Sequence, residues 1–164
     1  CYHQCMKLII GLGNPGEKYK NNRHNIGHLF IDYLDSQGLA LRGYFLKTDV
    51  FMNDSGTFVK KWVDFYKISL ENLYIVHDDL DIPLGQYKIQ FGVGPKVHNG
   101  VSSVEQVMGT KEFWRIRIGV DNRPTSPKAS RAKGEDYVLE DFTKEELEIL
   151  KPVQDDIIAD LCKN

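Results

Sequence analysis

Cysteine is scarce and poorly placed for structural use. The three thiols stand at positions 1, 5 and 162, an odd number near the two ends with neither the spacing of a metal site nor that of a disulfide framework. A reducing, cytoplasmic setting is the default expectation. No stretch approaches the roughly 18 apolar residues that a bilayer-spanning helix needs, and the first residues lack a signal peptide's apolar run, so neither membrane insertion nor secretion is expected. Charge of one sign is lacking too: 21 Lys and Arg face 23 Asp and Glu, a net of -2, which excludes a basic footprint over the whole molecule. Only Lys111, Arg115, Arg117, Arg123, Lys128, Arg131 and Lys133 crowd one basic stretch, ahead of acids concentrated between Glu135 and Asp160. What remains is an ordinary globular composition, 41% hydrophobic and 27% charged over 164 residues, enough for one domain with a substantial core. There is no repeat and no low-complexity tract.

The apolar pattern alternates between two periods. Residues 7–12 read as a short buried strand closed by the turn Gly13-Asn-Pro-Gly16. Ile26, Leu29, Phe30, Tyr33 and Leu34 then recur at helical spacing. Strands are expected over 43–47, 73–76, 86–91 and 114–120, and helices over the segments holding Phe58 to Tyr66 and Val101 to Met108. Asp54 or Ser55 can cap the first of these helices. Thr143 and Glu146 form a capping box for an acidic C-terminal helix with a possible break at Pro152. Residues 121–135 lack periodicity and read as a mobile loop. The expected fold is a single α/β domain over residues 6–164, a mixed twisted sheet flanked by helices, with residues 1–5 as an extension.

Polar clusters fall where strands end or helices begin. His24 follows the first strand and its turn, and a histidine of ordinary pKa, about 6.5, can take a proton near neutral pH. Asn14 in that turn offers an amide donor and acceptor, as do Asn25, Asn53 and Asn99 in other loops, a set suited to a peptide or ester. Asp78, in His77-Asp-Asp-Leu-Asp81, sits at the carboxyl end of a strand, where open α/β sheets gather site residues. Beside His24 it would fix the tautomer and stabilise the protonated ring; alternatively, three carboxylates within four positions could hold a divalent ion. No metal is expected, because alternate strand residues face opposite ways, and Asp79 and Asp81 are assigned to turn and surface hydrogen bonds. His98 reads as a structural neighbour. Gly11, Gly13 and Gly16 form G-x-G-x-x-G, but Pro15 stands where a helix would have to begin around a pyrophosphate.

Taken in order, Gly11-Leu-Gly-Asn-Pro-Gly16, Arg23-His-Asn-Ile-Gly27, Phe51-Met-Asn-Asp-Ser-Gly56, His77-Asp-Asp-Leu-Asp81 and His98-Asn-Gly100 resemble the successive signatures of the bacterial-type peptidyl-tRNA hydrolases. Phe113 to Gly119 and Tyr137 to Phe142 extend the likeness to nearly the whole chain from Met6. The resemblance implies a monomeric, metal-independent and cofactor-free esterase of the translation machinery, acting on peptidyl-tRNA. It implies His24 as base, Asp78 as its supporting acid, and Asn14 and Asn99 at the reaction centre. Asn53, Asn99, Tyr19, Arg117 and Lys88 would bind substrate, with Arg117 and Lys88 or Lys96 near tRNA phosphate.

The chain also departs from that pattern. The interval between His24 and Asn53 is about twenty residues short against the family pattern, which would remove most of a strand pair bordering the sheet. Thr48 replaces a usual proline, Lys96 and Val97 replace usual glycines, and Gln90 takes the place of a phosphate-contact lysine. The C-terminal helical region also reads as short. These departures leave open a rival, a noncatalytic protein binding structured RNA on the same scaffold; a dinucleotide enzyme is the weaker alternative.

Overall fold

The computed structural model describes residues 6–38, 41–124 and 134–163. The expected extension 1–5 and most of the expected 121–135 loop lie outside the described residues. Five strands, β1 (Lys7–Gly11), β2 (Gly43–Lys47), β3 (Leu73–Pro83), β4 (Tyr87–Phe91) and β5 (Trp114–Asp121), form one sheet in the order β2-β1-β3-β5-β4. All neighbours are parallel except β4, which runs antiparallel to β5. The helices are α1 (Ile26–Ser36), α2 (Ser55–Tyr66), α3 (Asn99–Met108), the short α4 (Gly134–Val138) and α5 (Lys144–Lys163).

Alternation along the strands builds two cores. Ile9, Tyr74, Val76, Ile116 and Ile118 face α1 and α5, while Leu8, Ile10, Leu73 and Ile75 face α2 and α3. A parallel sheet covered on both faces needs apolar residues at successive positions, which is why Leu8 to Leu12 follow one another without a polar residue. The expected mixed α/β sheet flanked by helices is the fold observed. The interval between α1 and Asn53 holds one strand, β2, at the sheet edge.

Three local expectations are corrected. Strand β3 runs past Val76 to Pro83, with its pairing to β5 slipping between Asp79 and Pro83; such irregularities re-aim side chains, and this one follows Asp78 directly. Helix α5 continues through Pro152, which lies on the exposed face where water can take up the carbonyl that the ring leaves unpaired. Asp54 stands at the N-cap of α2 but makes no side-chain cap bond, and the Ser55 hydroxyl donates instead to the Met52 carbonyl at 2.7 Å.

The strand order reverses between β1 and β3, since β1 is followed by β2 on one side and bordered by β3 on the other. Such a switch point opens a crevice at the strands' carboxyl ends. Two glycines let the start of α1 close onto it: a Cβ on Gly11 would lie 2.1 Å from the Gly27 carbonyl oxygen, and one on Gly27 would lie 2.5 Å from the Val76 oxygen. That backbone contact carries the 3-10 turn Arg23–Asn25 to the middle of β3, beside Asp78.

Candidate active site

At the switch point lies a cleft of about 940 Å³ lined by Asn14, His24, Phe51, Met52, Asn53, Asp78, Leu80, Val97, His98, Asn99 and, from the far side, Gly134, Glu135, Val138 and Leu139. Asp78, expected at a strand's carboxyl end, instead lies buried within β3, two residues past Val76 where the pairing with β1 ends; one of its oxygens receives two imidazoles, His24 Nδ1 at 2.8 Å and His98 Nε2 at 2.9 Å. A carboxylate only accepts, so both of these ring nitrogens carry protons. His98 Nδ1 accepts from the Val101 N–H at 3.2 Å, capping α3; His98 is therefore a neutral ring used at both nitrogens. His24 is left with Nε2 as a free lone pair. Burial opposes a charged His24, but the charge of Asp78 and its hydrogen bond outweigh burial and raise the pKa above the ordinary value. Despite its own burial, Asp78 is held far below the usual carboxylate range by His98 and His24.

Asn14 is oriented from two sides. The side chain of Asn25 grips its backbone, accepting from Asn14 N–H and donating to Asn14 O, both at 2.9 Å. Asn14 Oδ1 accepts from the Met52 N–H at 2.8 Å, so Nδ2 is the group it presents. Asn25, expected among the loop amides offered to substrate, is instead buried, with both ends of its amide engaged in this grip. Thr48 supports the same turn: its hydroxyl donates to the Gly13 carbonyl at 3.0 Å and accepts from Gly13 N–H at 3.2 Å and from His28 Nε2 at 3.0 Å. Burial and then Lys47 push His28 down to about 4, which keeps it neutral. The Thr48 N–H also donates to Gly11 O at 3.1 Å, a bond that a proline could not make.

Asn53 and Asn99 are exposed on the cleft wall, Asn99 as the first residue of α3. Tyr19 packs edge-on against Phe51, with ring centroids 6.4 Å apart, one layer behind the lining. Lys88 is exposed on β4, in register with Arg117. Arg117 is not the exposed contact that the sequence suggested. It is buried, with Nε donating to Asp79 at 2.7 Å and one terminal nitrogen to Gln90 Oε1 at 2.7 Å. Asp79, expected at the surface, is buried as its counter-ion, although its second oxygen makes a turn-like bond to the Asp81 N–H at 2.8 Å. Asp81 makes a surface hydrogen bond, accepting from the Lys96 N–H at 3.2 Å and so holding the 92–98 loop. Val97, 84% exposed, stands at the rim of the cleft.

The acids of 77–81 do not converge, but His24, Asp78 and His98 bring three donor atoms within 4.8 Å of one another, a grouping that could hold an ion. Metal ligation requires unprotonated ring nitrogens, whereas here both nitrogens that face Asp78 donate to it. Sequence reasoning missed the second imidazole on Asp78, the Asn25 grip and the lining from Leu80, Val138 and Leu139; Leu80 lies two residues from Asp78 but reads only as apolar, and the others are contacts between separate segments that carry no local signal.

The family model for peptidyl-tRNA hydrolase matches residues 8–42 and 37–163, two pieces that overlap between α1 and β2. A peptidyl-tRNA hydrolase of Desulfitobacterium hafniense is 38% identical over 167 residues, covering 92% of this chain and 88% of the relative. One from Citrifermentans bemidjiense is 41% identical, covering 91% and 86%. The crystal structure of peptidyl-tRNA hydrolase from Acinetobacter baumannii superposes with a TM-score of 0.80 at 28% identity, over 96% of this chain and 87% of that one. With its ordered motifs gathered around one cleft, this chain belongs to the peptidyl-tRNA hydrolase family.

Proposed function

We infer that the cleft hydrolyses the ester joining a peptide's C-terminal carbonyl to the 3'-terminal ribose of tRNA, with His24 as general base. The observation that carries this reading is the 2.8 Å bond from His24 Nδ1 to Asp78, which leaves Nε2 free in a cleft shared with Asn14 and Asn99. Nε2 takes a proton from water as its oxygen attacks the carbonyl carbon. Asp78 stabilises the imidazolium so formed, and the same proton passes to the departing ribose oxygen as the ester C–O bond breaks. General-base catalysis of this kind is worth about 10²–10⁴-fold.

Asn14 Nδ2 and the Asn99 amide supply donors for the developing oxyanion. Asn53 binds the peptidyl part beside the apolar lining of Phe51, Leu80, Val138 and Leu139, with Tyr19 bracing Phe51. Phosphate of the tRNA meets Lys88, while Arg117, through Asp79 and Gln90, holds the strand face beneath it. Among the described residues no helix is long and apolar enough to cross a membrane. We read the protein as a monomer acting in the cytoplasm without metal or cofactor; a site complete within one chain and the scarcity of thiols support that reading.

The test is release of deacylated tRNA from purified peptidyl-tRNA after exhaustive chelation. Turnover is expected. Tight binding of structured RNA without turnover would favour the noncatalytic rival, and a loss restored by a stoichiometric divalent ion would overturn the metal-free route.

A further inference from the structure

The residue before His24 is held more elaborately than the catalytic ring itself. Arg23 is 5% exposed. One terminal nitrogen donates to both oxygens of Glu146 on α5, at 3.1 and 2.8 Å; the other donates to the Tyr137 carbonyl at 3.5 Å and lies 3.6 Å from the exposed Glu140 carboxylate. The guanidinium stacks over the Tyr137 ring at 4.1 Å and lies 5.6 Å from that of Phe142. Glu146 also accepts from the Thr143 N–H at 2.9 Å and from Asn122 Nδ2 at 3.2 Å. Tyr137 is fixed in turn, its hydroxyl donating to Val120 O at 3.1 Å and accepting from the Asn122 N–H at 3.0 Å. Backbone bonds join the same segments: Arg23 N–H to Glu140 O at 3.1 Å and Phe142 N–H to Asn21 O at 2.9 Å. The Asn22 amide reaches Asp141 at 2.6 Å.

Capping α5 does not require this arrangement. The capping box is complete with Thr143 and Glu146 alone. Burying an ion pair is a poor way to gain stability, because desolvation offsets the attraction, and here Arg23 Nε is left buried with no partner. The expense falls one residue from His24 and directly beneath α4, whose Val138, with Leu139 after it, forms the far wall of the cleft. A misplacement of about 1 Å in a reacting group can cost about 10²-fold in rate.

We propose that Arg23 is a positioning residue: by joining Tyr137 of α4 and Glu146 of α5 to the turn that carries His24, it seats the imidazole on Asp78 and makes the cleft wall and the base one rigid body. This rests on the reading of His24 as base. The titratable groups facing the His24 ring are Asp78 and His98. Those around Arg23 are Glu146 and Glu140, with Arg123 across the Tyr137 ring at 5.2 Å.

The test uses Arg23→Lys, which keeps the charge but loses the fork, Glu146→Gln, and the paired Arg23→Met/Glu146→Leu, which removes both buried charges. Three quantities are read on each folded protein: Tm, kcat and KM on peptidyl-tRNA, and the His24 ring nitrogens by ¹⁵N NMR titration. In Arg23→Lys and Glu146→Gln, kcat is expected to fall about tenfold or more with KM nearly unchanged, the signature of an interaction needed only in the transition state. The His24 titration should move to lower pH, since a ring loosened from Asp78 keeps its burial but loses the carboxylate. The apolar pair should recover Tm without recovering kcat or the titration. Variants that lower Tm but keep the wild-type kcat and His24 titration would overturn the proposal, as would an apolar pair that restores all three. If a single substitution does not fold, the apolar pair decides. Should His24→Ala retain turnover, the base reading fails instead, and the ring titration still reports whether Arg23 seats His24.

Discussion

Asp78 and Asp79 are neighbours on one strand, chemically identical and equally buried, yet they serve two different regions. Asp78 turns toward the cleft and gathers two imidazoles. Asp79 turns away and gathers a guanidinium and a backbone amide. The partners decide what each carboxylate can do. An imidazole changes charge near neutral pH, so the Asp78 cluster can pass a proton; a guanidinium does not deprotonate in proteins, so the Asp79 cluster can only hold shape. Strand alternation separates the two roles with no change of residue type.

The widest separation between the two is expected from Asp78→Asn. Losing the carboxylate removes the tautomer control on His24, and turnover of peptidyl-tRNA should fall by about 10²–10⁴-fold while the fold is kept, as measured by single-turnover assay beside circular dichroism. The reciprocal change, Asp79→Leu, leaves Arg117 buried with only Gln90. It should cost about 3–5 kcal/mol of stability in urea unfolding, with the folded fraction still turning over. If instead Asp79→Leu abolished turnover without loss of stability, the division of labour between the two acids would be wrong.

The pH profile sharpens the same contrast. As a general base His24 would act as the neutral ring, and its pKa stands above the ordinary value. The acid limb of kcat should therefore lie above pH 6.5, the free-imidazole value, with activity falling as pH drops through it. In Asp78→Asn the counter-charge is gone and burial alone acts, so the residual activity should show its limb at lower pH. An unchanged limb would mean that the titrating group is not His24. The stability that Asp78 contributes has the opposite sense: its pKa is depressed, so that stability is present above the ordinary carboxylate pKa and is lost as pH falls through the folded value.

The smallest effect belongs to the exposed strand face beyond Arg117. Lys88→Ala should weaken tRNA association similarly for different tRNAs and reduce the slope of log K against log salt by about 0.9, the equivalent of one phosphate. An unchanged slope would remove Lys88 from the RNA contact.

The sequence made parts of this legible and hid others for physical reasons. The extents of β2 and α2 and the Thr143–Glu146 box could be read because each is a pattern within one segment. Asn14 after β1 and Asn99 at the start of α3 stand where segment ends put them; Asp78 reaches the same cleft from within β3, beyond the end of its neighbour β1. The burial of Arg117 is not legible because Arg115 and Arg117 alternate with Ile116 and Ile118, a pattern that would suit a solvated face. In a sheet covered on both sides the same pattern buries the arginines, and their counter-ions, Asp79 and Glu105, come from other segments. The Arg23–Glu146 pair spans 123 positions, and nothing local to either residue announces it.

Single-turnover hydrolysis of purified peptidyl-tRNA by His24→Ala, with tRNA affinity measured on the same preparation, tests the central claim most directly. Loss of ester cleavage by at least about 10²-fold with tRNA binding retained is the expected result. Cleavage at a near wild-type rate would contradict the assignment of His24 as the base.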